Sequence, residues 1–160
     1  PWRRVAPYVG AQLVGGVLGA ALLRGAFGAR ADAGVTAPLP PFGPAIAAGA
    51  ECVFSLLLTI VILATATQAK VLGPNAAVAS GAVVGLCGLV GKAVSGASMN
   101  PARSLACAVV QGDLRHVALY VLAPATGALF ATALMSVLHP GRRSAEVEAA
   151  MGKQNSDSSQ

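Results

Sequence analysis

The chain has 160 residues, of which 55% are hydrophobic and 11% charged, and its mean hydropathy is +0.68. Soluble domains carry about 25% charged residues, so the composition excludes an ordinary soluble domain and points to a membrane protein. The net charge of +5 comes from scattered rather than clustered basic residues, which argues against a nucleic-acid-binding face.

The chain begins at Pro1, without an initiator methionine or a signal-peptide pattern, and so reads as an N-terminally truncated piece of something longer. Four apolar windows follow, at residues 5–23, 42–67, 76–95 and 117–138. Each approaches or exceeds the roughly 20 helical residues that cross about 30 Å of hydrocarbon. The first and second are joined by the Gly/Pro-containing "RGAFGARADAGVTAPLPP", the second and third by "QAKVLGPN". Residues 1–140 thus read as one membrane domain, and the polar, Ser-rich 141–160 as a tail expected to be disordered. The 19 glycines, with abundant alanine, suit helices that associate in lipid by close backbone approach. Lys and Arg placement orients the spans. With cytoplasmic ends, Arg3, Arg4, Lys70, Arg142, Arg143 and Lys153 lie inside, and Arg24, Arg30 and Arg115 outside, with Lys92 reaching outward. Cys52, Cys87 and Cys107 match no metal or redox spacing and read as small apolar fillers.

An internal repeat links the first and last windows. "YVGAQLVGGVLGAAL" from Tyr8 reappears as "YVLAPATGALFATAL" from Tyr120, pairing Tyr8 with Tyr120, Val9 with Val121, Ala11 with Ala123, Gly15 with Gly127, Ala21 with Ala133 and Leu22 with Leu134. Gly15 and Gly127 are the candidate helix-packing glycines. Three crossings separate the copies, so they run in opposite directions, as in channels and transporters with a site near the bilayer midplane.

Between the third and fourth windows lies "SGASMNPARS" (95–104), followed by the short apolar "LACAVV". A helix over 101–111 would be about 16 Å long, half the hydrocarbon thickness, and is expected to re-enter rather than cross. Such a segment survives at membrane depth only when buried in protein or lining water. Asn100 is a favoured N-cap and Pro101 suits the first helical position. The helix start would put the positive end of its dipole near the membrane centre. With the Asn100 amide and the Arg103 guanidinium, it would favour neutral oxygen-bearing solutes and oppose cations and protons.

"SGASMNPARSLACAV" resembles the second Asn-Pro-Ala loop of the aquaporin (major intrinsic protein) family. "PYVGAQLVGGVLGA" is similar to the family's third span, "ECVFSLLLTIVILATAT" to its fourth and "LYVLAPATGALFA" to its sixth. The resemblance implies an all-α inverted-repeat bundle, here four transmembrane helices (family spans 3–6) plus one re-entrant half-helix. It also implies a homotetramer in the plasma membrane, with a pore in each subunit. The first two spans and first Asn-Pro-Ala loop have no counterpart, so the chain alone is not expected to conduct. Asn100, Pro101, Ala102 and Arg103 carry the motif. Ala97, and Gly88 twelve residues before Asn100, take two further constriction positions. Gly and Ala there imply a wider, less polar opening than a water-only filter, although Gly81, Gly85 and Gly88 also form a stripe that could simply pack. Ser104 after the arginine, with "GASMNPARS" and the Tyr120-Val121 pair, resembles the nodulin-like intrinsic proteins, whose solutes include glycerol, urea and metalloid hydroxides as well as water.

Glu51 is the other intramembrane charge. By default it is a functional group, even a proton relay. The resemblance implies instead that it accepts from backbone N–H groups of the 95–100 loop. The expected activity is passive and cofactor-free. The alternatives are a secondary transporter coupling ions through Glu51 and a non-conducting remnant. An enzyme is not expected: no paired carboxylates, nucleophile–base set or phosphate loop occurs, and His116 and His139 stand alone at span edges.

Overall fold

The computed structural model describes residues 2–28, 34–66 and 73–139. The tail at 141–160 and the topology residues Arg30, Lys70, Arg142, Arg143 and Lys153 lie outside them. Among the described residues, a 3-10 turn at Trp2–Arg4 is followed by five helices: α1 (Val5–Phe27), α2 (Pro44–Ala66), α3 (Asn75–Gly91), α4 (Pro101–Gln111) and α5 (Val117–Leu138). The described residues contain no strand. The fold is all-α, as expected.

Three helices, α1, α2 and α5, are long and apolar enough to cross a membrane. α3 is shorter, at 17 residues, or about 25 Å. It stops four residues before the end of its apolar window because the N–H groups of Val94, Ser95 and Gly96 all turn back onto the Gly91 carbonyl, at 3.0, 2.9 and 3.1 Å. This turn sends the chain back into the bundle as the 95–100 loop. α4 follows with 11 residues, about 16 Å long: a half-helix, as expected. It ends at Gly112, whose left-handed φ of 77° lets its own N–H reach the Val109 carbonyl and that of Asp113 reach Ala108, which satisfies the last-turn carbonyls.

The helices contact one another in a row. α3 packs on α2, α2 on α5, α5 on α4 and α4 on α1. Glycines set the approach at three of these contacts. A Cβ at Gly91 would stand 2.3 Å from a Phe54 ring carbon, one at Gly127 2.1 Å from the Cys52 carbonyl oxygen, and one at Gly16 2.9 Å from the Ala106 Cβ. Gly127 therefore lies in the packing seam between α5 and α2. Its partner in the repeat does not: a Cβ at Gly15 would meet nothing within 4 Å, and the α1–α4 contact falls one residue later.

The interior is small and polar. Ala47, Ala106, Ala108 and Ala131 are buried, and the largest fully buried side chains are Tyr120, Glu51 and Ser95. Leu18, Leu22, Leu89, Leu122, Leu129 and Val137 are all exposed. In hydrocarbon such side chains need no protein partner, since lipid tails are as apolar as Leu.

Candidate functional site: the re-entrant loop and half-helix

The site is built outward from Asn100. Its backbone is extended (φ −147°, ψ 110°), and its side-chain oxygen accepts from the N–H groups of Ala102 and Arg103, at 3.0 and 3.3 Å. Pro101 occupies the first helical turn, where its missing N–H costs nothing. With Oδ1 used as the cap, the Nδ2 group of this exposed residue has no hydrogen-bond partner among the described residues.

The loop before it has no helical ladder, and one carboxylate holds it. Glu51 on α2 is fully buried. Its Oε1 accepts from the Ser98 N–H at 2.8 Å and from the Ser95 hydroxyl at 2.7 Å, and its Oε2 from the Met99 N–H at 2.8 Å. These bonds offset a backbone cost: Ala97 and Met99 have φ of 51° and 52°, in the left-handed region that costs a non-glycine residue roughly 1–2 kcal/mol. The Tyr120 hydroxyl donates to the Ser95 carbonyl at 2.5 Å. Thus α2 and α5, packed on each other, grip the loop from two sides.

Arg103 is held by the loop between α1 and α2. Its Nη1 donates to the Gly34 carbonyl at 2.7 Å, leaving the rest of the fork free for other acceptors. A cavity of about 290 Å³ brings Arg103 together with Asn100, Ala102, Gln12, Gly34 and Cys107. A second, of about 360 Å³, lies between Asn100, Pro101 and Ala102 on one side and Tyr8, Gln12 and Leu13 on the other. Gln12 lines both. Ala97 and Gly88 line neither. Gly88 faces open space, as do Gly81 and Gly85, since a Cβ at any of them would meet nothing within 4 Å. Within these residues the glycine stripe packs on nothing, and α3 meets α2 through Gly91 instead.

Several supports have no motif of their own. Gln12 is a polar residue within an apolar span, a signal available in the sequence. Thr36 carries no such signal: its hydroxyl meets that of Ser104 only because the loop between α1 and α2 folds over the half-helix. The Arg24 guanidinium donates to the Val110 carbonyl in the last turn of α4, where a cation also complements the negative end of the helix dipole. Beyond that turn, the Arg115 side chain hydrogen-bonds Asp113 and holds its carboxyl well below the usual carboxylate range, so this pair stays charged at physiological pH.

A half-helix capped by Asn-Pro, a buried carboxylate under its loop and an arginine at its first turn, set among apolar spans, define an all-α membrane-protein fold with a re-entrant segment. The family model of the major intrinsic proteins matches residues 1–135, and the chain belongs to that family. Its relatives include Aquaporin NIP3-1 of Zea mays, 40% identical over 129 residues, which cover 81% of this chain and 43% of the relative. Putative aquaporin NIP4-1 of Arabidopsis thaliana is 39% identical over 131 residues, 81% of this chain and 45% of the relative. Aquaporin NIP6-1 of the same plant is 34% identical over 138 residues, 86% and 45%. The resemblance to the nodulin-like (NIP-type) subgroup therefore holds. The chain spans less than half the length of these relatives.

Proposed function

We propose that this chain supplies one half of a passive channel for water and small uncharged solutes such as glycerol, urea or metalloid hydroxides. The observation that carries this reading is the shared cavity of Asn100 and Arg103, into which an amide, a guanidinium and a helix N-terminus bring donors without a nearby carboxylate in the lining. Donors and positive potential attract the oxygen of a neutral solute and repel cations. Asn100, Pro101, Ala102 and Arg103 form the pore-facing motif, and Ala97 and Gly88 leave the constriction wide. The empty space at Gly88 supports that role over a packing one. Glu51 acts as loop support rather than as an ion-coupling group. It already takes three donors, and cycling a proton through it would release the loop that positions Asn100.

The complete channel would be a homotetramer in the plasma membrane, with the ends of this chain cytoplasmic. Reconstitution in liposomes tests the proposal. The chain alone should give no swelling with water, glycerol or urea. Joined to the N-terminal half of the maize NIP3-1 relative, it should give downhill flux insensitive to ion gradients. Flux that requires a sodium or proton gradient would favour a secondary transporter, and none from the joined protein would favour a non-conducting remnant.

A further inference from the structure

The outer loop between α1 and α2 is tied to the re-entrant segment at three points. The Gly34 carbonyl accepts from Arg103 at 2.7 Å, the Thr36 hydroxyl donates to the Ser104 hydroxyl at 2.7 Å, and the Leu39 N–H donates to the Val94 carbonyl at 3.1 Å. Thr36 is the middle tie and is buried, 7% exposed. Its backbone also lies against the loop, since a Cβ at Gly96 would stand 3.3 Å from the Thr36 Cα.

Proton bookkeeping gives the hydroxyls a direction. Ser104 and Ser98 share a hydrogen bond of 2.5 Å in which either could donate. The Ser98 hydroxyl donates to the Asn100 carbonyl at 3.0 Å, and a hydroxyl carries one proton. Ser104 must therefore donate to Ser98, and Thr36 to Ser104. The chain runs one way, from the outer loop through Ser104 and Ser98 to the residue that caps the half-helix. All three side chains are buried, and chains of bonds in a low-dielectric interior strengthen one another.

We propose that Thr36 is a positioning residue for Arg103. Its hydroxyl sets the register of the outer loop on the half-helix, so that the Gly34 carbonyl, two residues away, meets Nη1 and fixes the plane of the guanidinium. Selectivity at the outer mouth then depends on a residue that touches no solute. The selectivity clause rests on the channel reading above; the positioning itself does not.

Two measurements keep these apart. In lipid nanodiscs, the 15N-labelled arginine side chains of this chain are observed by NMR, with Arg103 assigned by its loss in Arg103→Lys. A guanidinium held by a carbonyl rotates slowly and shows resolved Nη signals. The isosteric Thr36→Val and, from the other end of the bond, Ser104→Ala should each lose that resolution, while Thr36→Ser, which keeps the hydroxyl, should retain it. Resolved Arg103 signals in either Thr36→Val or Ser104→Ala would overturn the proposal, and so would loss of resolution in Thr36→Ser. In the joined channel, Thr36→Val should change the glycerol-to-water permeability ratio by about fivefold, the size of one net hydrogen bond, and Thr36→Ser should leave it unchanged. A ratio unaltered by Thr36→Val would remove the selectivity clause. Absence of flux in the unmutated joined channel would fall on the channel reading, with the Arg103 signals still deciding the positioning.

Discussion

Gly127 and Gly15 occupy matching places in the two copies of the repeat, and their surroundings differ completely. A Cβ at Gly127 would stand 2.1 Å from the Cys52 carbonyl oxygen, a backbone atom that cannot swing aside, whereas one at Gly15 would meet nothing within 4 Å. Gly127→Ala should therefore destabilise the chain by about 1–3 kcal/mol, the usual cost of overpacking. Gly15→Ala should be neutral or slightly stabilising, because alanine is the better helix former by about 1 kcal/mol. Equilibrium unfolding of both variants in mixed micelles measures the difference, and equal destabilisation would contradict this account. The tyrosines diverge in the same way: Tyr120 is 1% exposed and bonded to the loop, and Tyr8 is 70% exposed.

At the scale of elements, the half-helix is over-determined. Asn100 caps its start, Gly112 closes its end, Arg24 meets a last-turn carbonyl, and Glu51 carries the loop that leads into it. These supports come from four different parts of the chain, as a helix too short to be stable alone requires. Glu51→Leu would strand two amides and a hydroxyl, each costing about 1–3 kcal/mol, and the chain should fail to fold. Glu51→Gln keeps an acceptor oxygen and should fold with reduced stability. In the joined channel it should conduct at a rate that ignores the proton gradient. A well-folded Glu51→Gln that has lost proton-coupled uptake shown by the unmutated protein would return Glu51 to an ion-coupling role.

At the scale of the molecule, the order of contacts among the described residues is α3, α2, α5, α4, α1, with no closure between the ends. α1 has a single buried residue, Ala20, and among the described residues it touches no other long helix and packs on the half-helix. Paired nitroxide labels on α2 and α5 should accordingly give a narrow distance distribution in nanodiscs. Labels on α1 and α3, at opposite ends of the row, should give a broad one. A narrow α1–α3 distribution would show that this row is held rigidly by contacts beyond those described.

The apolar spans and the half-helix were legible in the residues because each rests on local chemistry, and the family was legible through the resemblance of the Asn-Pro-Ala motif and its flanks. Apolar length sets a membrane crossing, an apolar stretch too short to cross must re-enter, and Asn followed by Pro starts a helix wherever it occurs. The constriction roles of Gly88 and Ala97, by contrast, came only from the family resemblance and not from local chemistry. Local rules could not say that α3 would stop at Gly91, because that end is a turn onto one carbonyl, nor that Gly15 and Gly127 would part company. Likewise, nothing local joins Thr36 to Ser104 across 68 residues, or Arg24 to Val110 across 86. Both bonds exist only because packing brings distant segments together, the first in the buried interior and the second at an exposed helix end. Composition and spacing sufficed to write apolar spans and a capped half-helix between two of them. What holds that half-helix and its loop in place was decided by the tertiary structure, through polar partners far apart in the chain.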